Sequence, residues 1–171
     1  MQDVCRTAVE KFGSRIAFDS LENQLTFDQL WDRITYIAGA LSNLGVKKGD
    51  RVGILAANCA DYIAYHYATS RLGAILLVLN TRHALGELLW ALNDAEASVL
   101  VIGEEFQELL GDLKAGCKSI QASIAIGEKG TAEYSTDELV DAKPEFAPPG
   151  NLSEQDPVLL IYTSGTTGRP K

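Results

Sequence analysis

The sequence predicts an open α/β layer: a mainly parallel sheet with helices on both faces. Three observations predict it. Apolar runs such as RVGILA, AILLVLN and SVLVI alternate with stretches of helical period. Those runs are continuous rather than alternating, as expected of parallel strands covered on both faces. The composition, 46% hydrophobic and 22% charged over 171 residues, is that of a globular chain rather than a disordered one. A compact chain of this length can bury roughly 70% of the surface its unfolded form exposes.

Element by element, Thr26-Phe27-Asp28-Gln29 fits a capping box, with Thr26 and Gln29 satisfying the first free N–H groups of a helix. Phe27, Leu30, Trp31, Ile34, Ile37, Ala38 and Leu41 then form one face at helical spacing, and Gly45 ends the element. A turn at 47–50 leads into a strand over 51–56. Asn58 is placed to cap a helix over 60–72, and a strand over 74–80 follows. Residues 51–80 therefore have the shape of a βαβ unit, whose crossover is expected to be right-handed. The pattern continues with a helix at 85–94, a strand at 98–102, a helix at 104–115 and a short strand at 123–126.

Proline divides the chain. None occurs before Pro144, and then Pro144, Pro148, Pro149 and Pro157 follow closely. Proline blocks helix and restricts the residue before it, so 144–157 reads as an extended linker. The expected organisation is an α/β unit over 1–143, the linker, and a strand plus loop over 158–171.

Charge and cysteines narrow the function classes. The chain has 15 Lys+Arg against 23 Asp+Glu, a formal charge of −8. That excess repels phosphate backbones and anionic lipid, so nucleic acid is not an expected partner. Cys5, Cys59 and Cys117 are scattered and odd in number, with no metal-ligand spacing, which points to reduced thiols and a cytoplasmic protein. The six-residue apolar run from Ala74 to Leu79 is far short of the roughly 18 residues a membrane span needs. His66 and His83 have no nucleophile or ligand set near them in sequence, and Glu104-Glu105 reads as a solvated helix start rather than a catalytic dyad. Cys59, although at a helix start, has no activating partner in sequence and reads as structural.

The last fourteen residues carry chemistry. PVLLIYT at 157–163 is a strand that runs directly into Ser164-Gly165-Thr166-Thr167-Gly168-Arg169-Pro170-Lys171. Two glycines allow a tight turn and close approach of backbone to ligand. Successive N–H groups there can form an anion nest, three hydroxyls add donors, and Arg169 and Lys171 add positive charge. In open α/β sheets, ligands bind at strand carboxyl ends. The spacing is neither that of the G-x-x-x-x-G-K-[ST] loop nor of G-x-G-x-x-G.

YTSGTTGRPK at 162–171 resembles the phosphate-binding signature of the AMP-forming adenylating enzymes, a family of acyl-CoA synthetases, luciferases and peptide-synthetase adenylation domains. Upstream, LTFDQL, LGVKKGDRVGIL, LGAILLVLN and LNDAEASVLV agree in order. Thr167 and Asn80 resemble the acyl-CoA synthetase type. Ala84 departs from the family, where Ser or Thr often caps the next helix, at an expected cost of about 1 kcal/mol or less.

The resemblance implies an incomplete N-terminal subdomain of the family's large domain. It also implies a two-step reaction: a carboxylate attacks the α-phosphate of ATP, releasing pyrophosphate, and the coenzyme A thiolate then displaces AMP from the acyl-adenylate. ATP, Mg²⁺, coenzyme A and a carboxylic acid are the implied cofactors and partners. By motif position, Thr163, Ser164, Gly165, Thr166, Thr167, Gly168 and Lys171 would hold the phosphates. No catalytic residue is assigned, because the family's later motifs lie beyond residue 171, and the chain by itself is expected to be inactive. The alternative is a non-catalytic binding module derived from such an enzyme, with self-association through the open side of a partial sheet. A peroxisomal address would lie at the family's C-terminus.

Overall fold

The computed structural model describes residues 2–20 and 24–163. Its elements, in order, are α1 (Gln2–Phe12), β1 (Ile16–Asp19), β2 (Gln24–Thr26), α2 (Phe27–Asn43), β3 (Arg51–Leu55), α3 (Ala60–Leu72), β4 (Ile75–Val78), α4 (Leu85–Asp94) and β5 (Val99–Gly103). A 3-10 turn (Glu104–Leu109) leads into α5 (Leu110–Gly116), followed by β6 (Ala122–Ile126), β7 (Tyr134–Ser135), α6 (Thr136–Asp141) and β8 (Leu159–Ile161). Strands β1 and β2 form a small antiparallel ribbon. The other six make one parallel sheet in the order β7-β6-β5-β3-β4-β8, the predicted architecture.

The two-residue period of each strand divides its side chains between two cores. Val52, Ile54, Leu76, Val99, Val101 and Ile124 point into one, with Ile34, Ile37 and Leu41 of α2 and Ala64, Tyr65 and Ala68 of α3. Leu55, Leu77, Leu100, Ile102 and Ala125 point into the other, with Leu88, Ala91 and Leu92 of α4 and Leu110 and Leu113 of α5. Each fully buried leucine or isoleucine contributes roughly 1.5–3 kcal/mol of transfer free energy. Burial on both faces explains why the strand sequences are apolar without alternation.

The capping box of α2 forms as predicted: Gln29 N donates to Thr26 Oγ1 at 3.2 Å, and Thr26 N donates to Gln29 Oε1 at 2.9 Å. A second box starts α6, where Ser135 and Glu138 exchange the same pair of bonds. Helix α4 has half a box. Ala84 has no side-chain acceptor, but its N–H still donates to Glu87 Oε2 at 2.9 Å. Helix α3 corrects the expected cap. Cys59, not Asn58, holds the N-cap position, and its Sγ accepts from Tyr62 N at 3.4 Å.

The stretch expected as a helix over 104–115 opens instead as the 3-10 turn before α5. Between α6 and β8, residues 142–158 have neither helix nor strand, in keeping with the prolines.

A polar network joins the helices over the first core. Arg33 of α2 donates through Nε and Nη2 to Asp61 and through Nη2 to Asp137 at 2.7 Å. Both carboxylates lie in the first turns of helices, α3 and α6, where a negative charge is also favoured by the helix dipole. Burial works against the Arg33 charge, but Asp61 and Asp137 outweigh it and hold its pKa above the ordinary arginine value. Beneath it, the buried Tyr65 hydroxyl bonds Thr136 Oγ1 at 3.1 Å, and Thr136 Oγ1 donates to Ala125 O at 2.9 Å. One arginine thus fixes three helices relative to one another.

Candidate functional site

The site is the carboxyl edge of the sheet where β3, β4 and β8 end side by side. After β3 the chain leaves towards α3 on the first core, and after β4 towards α4 on the second. Neighbouring strands whose connections depart to opposite faces leave a crevice between them, the usual ligand position in open α/β sheets. A cleft of about 250 Å³ lies there, lined by Ala56, Ala57, Asn58 and Tyr62 after β3 and by Leu79, Asn80 and Thr81 after β4.

Local bonds shape both walls. Ala57 N donates to Glu105 Oε1 at 2.7 Å, tying the exit of β3 to the exit of β5. Asn80 Oδ1 accepts from Arg82 N at 2.9 Å, and Asn80 O accepts from His83 N at 3.0 Å, which curls the chain sharply after β4. Tyr62 is half-buried, and that burial, with the nearby Cys59, raises its pKa. Burial likewise pushes the Cys59 thiol up, with Asp61 and Glu105 adding to the shift, so it is not a thiolate nucleophile at neutral pH.

Strand β8 carries the glycine-rich motif to this edge. It pairs with β4 from Leu76↔Leu159 to Val78↔Ile161, so the chain after Ile161 emerges level with the cleft. Tyr162 turns back onto α4: its ring meets Trp90 edge-on at 5.0 Å, and its hydroxyl donates to Asp94 Oδ2 at 2.5 Å. Partial burial and the Asp94 carboxylate push its pKa up to about 12. Thr163 follows, exposed, at the edge itself. The other expected phosphate ligands, Ser164, Gly165, Thr166, Thr167, Gly168 and Lys171, lie outside the described residues, as does Arg169.

Of the remaining sequence candidates, His83 and Glu105 lie at this edge, through the bonds to Asn80 O and Ala57 N, whereas His66 and Cys117 lie elsewhere in the layer. His66 is half-buried on α3, edge-on to Tyr67 at 5.2 Å, and burial lowers its pKa. Cys117 is buried, and both Cys59 and Cys117 are free thiols. Among the described residues, no three His, Cys, Asp or Glu side chains converge as a metal site, and no helix is long and apolar enough to cross a membrane. Sequence reasoning missed the role of Glu105. Its partner, Ala57, lies 48 positions away, and no local signal announces such a bond.

A doubly covered parallel sheet with a cleft at its carboxyl edge, between strands whose connections leave to opposite faces, defines the class: an open α/β layer with its ligand crevice at the strand ends. The chain belongs to the AMP-binding enzyme family, whose sequence pattern it matches over residues 5–171. It is similar to 2-succinylbenzoate–CoA ligase of Bacillus cereus strain Q1, with 33% identity over 158 residues, covering 92% of this chain and 29% of that protein. The protein of the same name from Bacillus thuringiensis subsp. konkukian is 32% identical over the same shares.

Among solved structures, the anthranilate CoA ligase AuaEII in complex with anthranoyl-AMP superimposes with a TM-score of 0.92 at 27% identity, over 99% of this chain and 33% of that one. A putative long-chain-fatty-acid CoA ligase from Rhodopseudomonas palustris superimposes with a TM-score of 0.89 at 30% identity, over 98% of this chain and 42% of that one. The chain thus spans less than half the length of these relatives.

Proposed function

We propose that the whole protein is an ATP-dependent acid–CoA ligase. A carboxylate oxygen of the substrate bonds to the α-phosphorus of ATP, pyrophosphate leaves, and the coenzyme A thiolate then attacks the acyl carbon and expels AMP. The observation that carries this reading is the position of the YTSGTTGRPK motif, which starts at the carboxyl end of β8 beside the cleft between β3 and β4. Names of relatives from two comparisons, both CoA ligases, support it.

On this reading Thr163, Ser164, Gly165, Thr166, Thr167, Gly168 and Lys171 hold the β- and γ-phosphates. Backbone N–H groups and hydroxyls supply directed donors there, and Lys171 supplies a point charge. Mg²⁺ ordinarily keeps several waters and binds phosphates with one or two carboxylates, so it would enter with the nucleotide. Its charge would offset the negative charge gathering on the phosphates. Segments 1–143, 144–157 and 158–171 are read as an α/β subdomain, a linker and the opening of the next subdomain. The free thiols fit a cytoplasmic setting.

The test is ATP–pyrophosphate exchange by the full-length gene product with short-chain, fatty, dicarboxylic and aryl acids, 2-succinylbenzoate and anthranilate among them. Exchange that needs one acid class, with acyl-CoA formed when coenzyme A is added, is the expected result. ATP binding without exchange for any acid would favour the non-catalytic module instead.

A further inference from the structure

A second cavity, of about 250 Å³, lies among α1, β1, α2 and α3 and shares no described residue with the cleft at the strand ends. Helical spacing builds its walls. Phe27 and Trp31 lie four residues apart on α2, and Ile63 and Tyr67 four apart on α3. Buried Ile34 adds to the α2 side. Against the rings of Phe27, Trp31 and Tyr67, α1 and β1 present small side chains, Ala8 and Ala17. The space is what those alanines leave unfilled.

The rings are held from outside, which keeps the space open. Arg71, in the last turn of α3, places its guanidinium carbon 4.2 Å from the Trp31 ring centroid and 4.8 Å from that of Phe146. Its Nη1 donates to Thr35 Oγ1 at 2.6 Å, and Thr35 Oγ1 donates to Trp31 O at 2.8 Å. Phe27 is fixed separately. Its N–H donates to Arg15 O at 3.0 Å, and its ring lies 6.1 Å from that of Phe12, which carries the Arg15 guanidinium carbon at 5.2 Å. Rings pinned in this way are not free to swing inward, so the collapse that ordinarily closes gaps between packed elements is blocked.

The lining also defines what fits. Among the described residues, no charged side chain lines the cavity. An ion placed there would lose hydration with no opposite charge to receive it. Aromatic and aliphatic walls are the usual lining of small-molecule pockets. A dry apolar cavity of about 150 Å³ takes up benzene, so this larger one has room for a ring with further carbons attached. Two exposed apolar side chains mark its surroundings: Ile63, itself in the lining, is 36% exposed, and Phe12, against Phe27, is 41% exposed. Apolar side chains grouped on the surface mark interaction sites, where scattered ones do not.

We propose that this cavity is a binding site for a small uncharged ring compound, aromatic or alicyclic. The volume, the three rings and the absence of lining charge select that class. The site is independent of the ligase reading, since neither the strand-end cleft nor the glycine-rich motif contributes to it.

The test uses the full-length gene product labelled with 5-fluorotryptophan, its Trp31 signal identified by loss in Trp31→Phe. Toluene is the probe, titrated by fluorine NMR. The Trp31 signal is expected to shift saturably, with half the change at about 1 mM or below. The Trp90 signal, on α4 over the other core, should stay in place. Benzoate keeps the ring but adds a charge, and should need at least about tenfold more for the same shift. Ala8→Leu fills the space with a good helix former and should abolish the saturable shift.

No saturable shift of the Trp31 signal overturns the inference, as does an equal shift in Ala8→Leu or benzoate binding as tightly as toluene. A wild-type dimer in sedimentation that Ala8→Leu splits overturns it too, because the cavity then belongs to a contact between two copies. If Ala8→Leu does not fold, Ala17→Val carries the same outcomes.

Discussion

Strands β5 and β8 run parallel in one sheet, yet Leu100 and Ile102 are wholly buried while Leu159 and Ile161 stand 39% and 56% exposed. Strand β5 has neighbours on both sides and helices on both faces. Among the described residues, strand β8 pairs with β4 alone. The central strands are held by apolar burial, which is non-directional and large; among the described residues β8 is followed by Tyr162, whose ring and hydroxyl dock on α4. The opposite edge is treated differently again. There β7 is only two residues long, but Glu133 just before it accepts from Ser123 N at 2.6 Å, Ser123 Oγ at 2.7 Å and Lys114 Nζ at 2.6 Å. The difference teaches that, within the described residues, apolar burial is concentrated in the strands that have neighbours on both sides.

The comparison can be broken most sharply at the centre. Leu100→Ala should cost about 3–4 kcal/mol, read as a lowered urea midpoint with an unchanged slope. Ile161→Ala, at the exposed edge, should cost well under 1 kcal/mol in the same measurement. Equal losses would erase the distinction. Next in size, Arg33→Met leaves Asp61 and Asp137 without their cation in a partly buried place, and should cost about 2–3 kcal/mol by thermal or urea unfolding. A loss under about 0.5 kcal/mol would mean that the arginine bridges three helices without stabilising them.

The β7 edge gives a pH signature. Burial alone would raise the Glu133 pKa, but the bonds from Lys114 and Ser123 outweigh it and leave the folded value below the ordinary one. Its contribution is therefore complete above the unfolded pKa of about 4.3 and is lost as pH falls through the lower, folded value. Glu133→Gln should lower stability at pH 7 and flatten the decline below pH about 4; parallel curves for variant and wild type would contradict the network. The smallest effect is a gain. Ala84→Ser supplies the missing acceptor at the start of α4 and should add about 0.5–1 kcal/mol in the same unfolding assay.

Much of the layer was legible because its signals are local and repeated. The Thr26–Gln29 box, the continuous apolar strands and the 85–94 periodicity each name an element without knowledge of its neighbours. What escaped depends on distant partners or on weak signals. Strands β1 and β2 are four and three residues long with no diagnostic turn, and α1 mixes charges with short apolar steps. Helix α6 was within reach: Ser135-Thr136-Asp137-Glu138 is a capping box of the kind that located α2. The Cys59 cap was less so, because Asn58 is the better acceptor by type and only the backbone path decides which residue stands at the boundary.

The site divides the same way. The Ser/Gly/Thr run is legible from composition alone, whereas Asn58, Tyr62 and Asn80 come together as one cleft only once β3 and β4 lie side by side.

The pairing of β8 with β4 also bears on how the protein is made. Strand β4 is complete at Val78, and its partner begins only at Leu159. While a ribosome adds those about 80 residues, at roughly 5–20 per second, one long side of β4 waits unpaired on the order of ten seconds. Strands β5, β6 and β7, which extend the sheet on the side of β3, emerge in that interval and can settle. The nascent chain therefore carries a tacky, half-finished margin throughout that interval, and the segment 142–158 is what finally delivers a cover for it.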